Sequence, residues 1–341
     1  AGQLAASTSL PEGCVVPECG PGDCPCCNHG GGCCNNAAIP GTRTDDWMAS
    51  HWISQWSNTG RESGGLAFLS LGTNDASGDP APLTPLATYR TNLAALAGSP
   101  PAPAGVTVEA FELADRVAER LTPDGAPEGQ VVLYLHGGSY HSGSPDTHRG
   151  LAGSLALATG RMVVVLDYRL APEDPFPAGL NDALLAFDQL APARIALAGD
   201  SAGGGLAAAT ALALRDRQGG QPVALALISP WADLTQSASS YMTRADADPM
   251  LTAAALDQAA EAYLAGTDPR TPYASPVFGD LSGLPPIRVD VGSDEVLFDD
   301  SRTLVDEALA AGCTAELHEW PEMIHVFQAF PTDLVPEAGE A

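Results

Sequence analysis

Arg194-Ile195-Ala196-Leu197-Ala198-Gly199-Asp200-Ser201-Ala202-Gly203 is the stretch on which the fold turns. Its first half, Arg194 to Ala198, is a short apolar run that reads as a strand. From Gly203 to Arg217 the chain is rich in Ala and Leu and reads as a helix. A serine between such a strand and helix occupies a strained turn that lifts its hydroxyl out of the backbone. Glycines at 199 and 203 are needed because side chains on either flank would clash there. The start of the helix adds positive potential beside any anion that forms next to Ser201.

On either side of this segment, short apolar runs alternate with helix-like stretches. Strands are predicted at Val131–Leu135, Met162–Asp167, Val223–Ser229, Ile287–Val291 and Ala315–Trp320. Helices are predicted at Thr147–Thr159, Leu180–Leu190 and Asp299–Ala311, with a longer, polar, helical excursion from Ala232 to Gly266. That alternation implies a parallel sheet covered on both faces. Ligands of such sheets bind outside the carboxyl ends of the strands. Upstream, Val106 onward has strand character, Leu83–Leu96 looks like an amphipathic helix and Asp45–Trp56 is weakly helical.

A nucleophilic serine needs a base, and only His318 and His325 follow Ser201. His318 lies within a strand pattern, where its ring faces one side of the sheet. His325 falls in the loop after that strand, among Ile324, Val326 and Phe327, and is the expected base. The orienting acid should sit where Ile287–Val291 ends. Asp294 and Glu295 both follow that strand, and position alone does not separate them. Asp299 and Asp300 read instead as the first turn of the next helix.

His136-Gly137-Gly138-Ser139-Tyr140 follows the Val131–Leu135 strand and supplies backbone donors for an oxyanion. Gly137, Gly138 and Ser139 are the candidates there, with Ala202 beyond the nucleophile. One such donor is worth about 2.7 to 4 kcal/mol of barrier. Tyr140 and Asp200, beside these donors and the nucleophile, are expected to contact the substrate.

Composition narrows the partners. The 341 residues are 45% hydrophobic and carry a net charge of -27, from 42 acidic and 15 basic residues, every basic one an Arg. A surface this acidic repels phosphate backbones and anionic headgroups, so neither nucleic acid nor a bilayer is expected as a partner. No apolar run approaches the roughly 20 residues of a membrane helix. Arg without Lys fits GC-rich coding; adaptation to high salt is the sharper alternative. Seven of the eight Cys lie between Cys14 and Cys34, and residues 1 to 40 read as a Cys- and Gly-rich disordered tail. Adjacent Cys pairs and an odd count break the spacing of a zinc site. No leader segment is apparent, and the remaining chain, nearly free of Cys, reads as cytoplasmic.

Together these motifs resemble the hormone-sensitive-lipase family of bacterial esterases. The resemblance rests on His136–Tyr140, Asp167–Glu173, Gly199–Gly203, Ser229-Pro230-Trp231, Asp248-Pro249, Gly292–Asp300 and Met323–Phe327. It implies an α/β-hydrolase fold with a mostly parallel eight-stranded sheet, flanking helices and a helical cap. The cap would come from residues 41–100 and 232–275, and the core from 101–231 and 276–341. The family's acid register fits Glu295-Val296-Leu297-Phe298-Asp299 and picks Glu295, with Asp294 the alternative. The Tyr168–Glu173 stretch would brace the oxyanion side, with Arg169 and Glu173 structural rather than catalytic.

The implied reaction is hydrolysis of short-acyl esters through a Ser–acid–His triad and an acyl-enzyme, with no metal or cofactor. A small-molecule ester is the expected partner, and such enzymes often form homodimers through an edge strand. An amidase or deacetylase would use the same triad, and a non-catalytic binding protein is the reading from another class. The loop between Leu190 and Arg194 looks short for the family, a final helix after Phe330 is not evident, and the early cap matches poorly.

Overall fold

The apolar runs at Val131, Met162, Arg194, Leu225 and Ile287 are strand-length and close to continuously hydrophobic, as strands buried on both faces must be. In the computed structural model, which describes residues 86–97, 101–330 and 335–341, they form the centre of one sheet. Its strands are β1 (Val106–Leu113), β2 (Arg116–Pro123), β3 (Gln130–Leu135), β4 (Met162–Leu166), β5 (Arg194–Asp200), β6 (Leu225–Ile228), β7 (Ile287–Gly292) and β8 (Ala315–Trp320). They lie in the order β1-β2-β4-β3-β5-β6-β7-β8. From β4 to β8 every pairing is parallel, whereas β1 with β2 and β2 with β4 are antiparallel. Leu133, Tyr134, Leu135, Val163, Val164, Val165 and Leu166 are fully buried in its middle.

The crossovers are α2 (Pro145–Thr159), α3 (Ala178–Leu190), α4 (Ser201–Asp216) and α7 (Phe298–Ala310); α1 (Leu86–Ala97) precedes the sheet. Helix α4 begins at Ser201 itself, two residues earlier than its composition suggested, and every residue from Ser201 to Leu214 is buried. An all-buried helix against a sheet needs small side chains, and α4 supplies Ala and Gly. Gly203 presses its α-carbon on the carbonyls of Leu135 and His136, where no Cβ fits. Helix α4 thereby seats β5 directly beside the end of β3, bringing the serine turn next to the Gly-rich turn.

Two parts of the chain refine the sequence reading. Val106 onward is a hairpin, β1 with β2, turned at Ala114 and Asp115 with φ of 57° and 56°. Positive φ at both central residues matches the twist of the flanking strands, but neither residue is the Gly or Asn that usually signals it. The excursion from Ala232 to Gly266 is only partly helical, containing α5 (Ser240–Thr243) and α6 (Ala253–Leu264). Elsewhere its acids bind local backbone instead: Asp233 accepts from Thr235 N–H and Asp248 from Met250 and Leu251 N–H. Short polar side chains that capture nearby N–H groups compete with helix formation. The Cys14–Cys34 tail and the Asp45–Trp56 segment lie outside the described residues.

Candidate active site

Ser201 is the first residue of α4, with φ of 53° and its side chain almost fully covered. Its Oγ lies 3.0 Å from His325 Nε2, and His325 Nδ1 lies 2.6 Å from Glu295 Oε2. His325 sits in the loop after β8 and Glu295 in the turn after β7, so the ends of β5, β7 and β8 deliver the three side chains. Glu295 is completely buried. Its other oxygen, Oε1, accepts from Ser229 Oγ at 2.8 Å and from Gly292 N–H at 2.6 Å. Ser229 also accepts from Val326 N–H at 3.3 Å, tying the acid turn to the histidine loop.

Of the two candidate acids, Glu295 is the one hydrogen-bonded to His325. Asp294 turns back on its own loop, accepting from Ser293 Oγ at 2.9 Å, and does not reach the ring. Burial by itself would lower the pKa of His325, but the charge and hydrogen bond of Glu295, with Asp248 and Asp200 beyond, raise it above the usual 6.5. His318, as its strand position implied, stays on β8 beside Glu316.

In the Gly-rich turn after β3, Gly138 and Ser139 have φ of 118° and 55°. The loop is closed by His141 N–H, Ser142 N–H and Ser142 Oγ, all donating to the Gly138 carbonyl. Among the described residues, no acceptor takes the N–H of Gly138, Ser139 or Ala202. Unmatched N–H donors of this kind are able to stabilise negative charge.

Three expectations need correction. Gly137 is no oxyanion donor, because its N–H is committed to Asp200 Oδ1 at 3.0 Å. Asp200 is no substrate contact: it is buried, and accepts from Tyr134 Oη at 2.7 Å as well. Tyr140 is 2% exposed, its ring stacked on Tyr263 at 3.8 Å and tilted against Trp231, so it belongs to the core. In both cases nearness in sequence to the site concealed a side chain pointing the other way.

Other contributors carried little or no signal. Ser229 lay inside a recognised motif without an assigned role. Asp248, likewise from a motif, accepts from Val296 N–H at 2.9 Å and so fixes the residue after the acid. Arg90, on α1, donates to the carbonyl of His141 at 2.6 Å and to that of Ala171, and forms a two-pronged pair with Glu173. The bracing expected of Glu173 therefore runs through Arg90. Arg169 instead pairs with Asp182 on α3. Among the described residues, no group of three or more His, Cys, Asp or Glu is arranged to hold a metal ion.

A serine on a strand-to-helix turn, joined through a histidine to a buried carboxylate, sits at the strand ends of an eight-stranded α/β sheet. The chain belongs to the alpha/beta hydrolase fold family, whose model matches residues 132–329, and within it to the hormone-sensitive-lipase esterases. It is 50% identical over 219 residues to an acetyl-hydrolase of Streptomyces hygroscopicus, covering 63% of this chain and 73% of that protein. To the carboxylesterase NlhH of Mycobacterium tuberculosis it is 38% identical over 230 residues, 62% of this chain and 70% of the relative. The crystal structure of an esterase from the bacterial hormone-sensitive lipase family superposes with a TM-score of 0.73 at 41% identity, covering 76% of this chain and 89% of that one. The protein is a carboxylic ester hydrolase. No helix among the described residues is long and apolar enough to cross a membrane.

Proposed function

We propose that the protein hydrolyses short-acyl carboxylic esters through an acyl-enzyme formed on Ser201. The observation that carries this reading is the unbroken chain from Ser201 Oγ to His325 to Glu295, at 3.0 and 2.6 Å. His325 Nε2 takes the hydroxyl proton as Ser201 attacks the ester carbonyl. The tetrahedral oxyanion forms against the N–H groups of Gly138, Ser139 and Ala202. His325 then returns the proton to the departing alcohol and activates water for release of the acyl group. Glu295 keeps the ring in the tautomer that presents a bare Nε2 to Ser201 and stabilises the imidazolium that follows. The preference for short acyl groups is supported by the relative that acts as an acetyl-hydrolase.

Residues 232–275 are taken as part of a cap, supported by the stacking of Tyr263 on Tyr140 beside the oxyanion loop. The test is hydrolysis of p-nitrophenyl esters from acetate to palmitate by the native chain and by Ser201→Ala. Turnover highest on acetate or butyrate, and about a millionfold lower in the variant, is the expected result. Equal rates in the two chains would remove Ser201 from the mechanism, and a preference for palmitate would remove the short-acyl assignment.

A further inference from the structure

The carboxylate beside the nucleophile has an unusual partner. Asp200 immediately precedes Ser201 and is buried, yet its Oδ1 receives only neutral donors, Tyr134 Oη and Gly137 N–H. Its Oδ2 faces His148 Nε2 at 3.4 Å, and His148 is itself largely covered. The far side of that imidazole is engaged too. Nδ1 lies 2.8 Å from Thr147 Oγ1 and 3.3 Å from the Ser144 carbonyl. Thr147 Oγ1 also lies 2.9 Å from the Ser144 carbonyl and accepts from Ser144 N–H at 2.9 Å. The ring is thus flanked by the Asp200 carboxylate at Nε2 and by the Ser144 carbonyl and Thr147 hydroxyl at Nδ1, and an imidazolium satisfies them all. Asp200 in turn is suited to a charged partner. Burial alone would raise its pKa, but the His148 charge and hydrogen bond, the Tyr134 hydrogen bond and nearby His136 together hold it below the usual value.

The pair matters because of what Asp200 holds. Its carboxylate pins the N–H of Gly137, the residue before the free donors of Gly138 and Ser139. It also lies one residue from the serine where negative charge develops. An unneutralised buried carboxylate there would repel the oxyanion and would draw its own loop donors out of place to satisfy itself. We infer that His148 is a positioning residue for the oxyanion loop: its imidazolium neutralises Asp200, so that the carboxylate can anchor Gly137 and leave the Gly138 and Ser139 N–H groups aimed at the oxyanion. His148 touches neither substrate nor Ser201, and it acts through Asp200 alone. The inference rests on the proposed role of Gly138 and Ser139.

The experiment is a double-mutant cycle on p-nitrophenyl acetate with the full chain as native, H148Q, D200N and D200N/H148Q. Rates are expressed per active site titrated with a fluorophosphonate, so that unfolded chain does not count. Loss of oxyanion alignment falls on kcat, and H148Q is expected to lower it about a hundredfold with KM changed by less than about twofold. In the D200N background there is no charge to neutralise, and H148Q should cost less than about threefold. A native kcat in H148Q overturns the inference. So does a loss confined to KM, or an equal loss in both backgrounds. If H148Q yields no folded chain, D200N against D200N/H148Q carries the test, and a hundredfold gap between them overturns it. A native chain without Ser201-dependent hydrolysis overturns the proposed function and this inference with it, whereas native hydrolysis with an indifferent H148Q overturns this inference alone.

Discussion

On one side of Ser201 the chain is held by charges, and on the other by neutral donors around a single acid. The oxyanion flank, His136 to Ser144, is fastened by Asp200 with His148 from beneath and by Arg90 with Glu173 from α1. The acid flank, from Gly292 to Val326, has Glu295 as the charge in contact with His325, held by Ser229 Oγ and Gly292 N–H. The difference follows from what each flank must do. The oxyanion flank has to present bare N–H groups, so its own polar atoms must be occupied elsewhere by strong partners. The acid flank has to keep one carboxylate ionised in a dry place, which demands donors without a competing charge.

The largest effect belongs to the acid-flank charge in contact with His325. Glu295→Gln keeps shape and one acceptor but lets the ring adopt the wrong tautomer, and kcat should fall about 10⁴-fold. Asp294→Asn, next to it in sequence and turned away, should stay within about twofold of native. The pair measured side by side on p-nitrophenyl acetate decides between the neighbouring acids, and a reversed result would move the triad to Asp294. The pH profile sharpens the same point. His325 must be neutral to accept a proton, and Glu295, Asp248 and Asp200 together raise its pKa, so kcat/KM should fall on the acid side with a midpoint above 6.5. Replacing Glu295 by Gln removes the strongest of those charges and should move the residual activity's acid limb to lower pH. A limb that stays in place would mean that another group controls it.

Ser229→Ala tests the neutral fastening. It removes a hydrogen bond to a buried carboxylate, worth about 1.5 to 3 kcal/mol, and it also frees the Val326 N–H. A loss of roughly 10- to 100-fold in kcat should accompany a lower Tm. A variant that loses stability but keeps kcat would show that Ser229 holds the fold and not the acid.

How these parts were or were not legible follows from the physics of each. The central strands and α4 could be read because burial on both faces leaves no alternative to continuous apolar runs. Ser201 and His325 could be read because the strand-turn-helix context and the loop after the last strand each admit few residues. The β1–β2 hairpin was hidden, since Ala114 and Asp115 adopt φ values that their side chains do not advertise. Tyr140 and Asp200 were placed by adjacency, which says nothing about side-chain direction in turns with positive φ, at Gly138 to Tyr140 in one and at Ser201 in the other. Arg90 and His148 bind partners 83 and 52 positions away in sequence, respectively Glu173 and Asp200, and no local pattern announces such contacts.

The smallest effect should come from the outermost charge of the oxyanion flank, and its smallness is informative. Glu173 is mostly exposed and Arg90 about one-third so, with side-chain exposures of 58% and 31%. An ion pair in that setting contributes at most about 1 kcal/mol and is screened by salt. Glu173→Gln should therefore change kcat by less than about threefold and reduce whatever dependence on sodium chloride the native enzyme shows. Arg90→Ala should cost more, because it also removes the donors to the His141 and Ala171 carbonyls, which screening reaches less. The ratio of the two variants separates the charge from the backbone fastening. Equal, salt-sensitive losses would mean that the ion pair alone holds α1 against the oxyanion loop, and the division between charged and neutral flanks would then extend to the surface. With 42 acidic residues against 15 basic ones, an Arg that satisfies two carbonyls and a carboxylate at once is a scarce cation used where three strands of the chain must be joined.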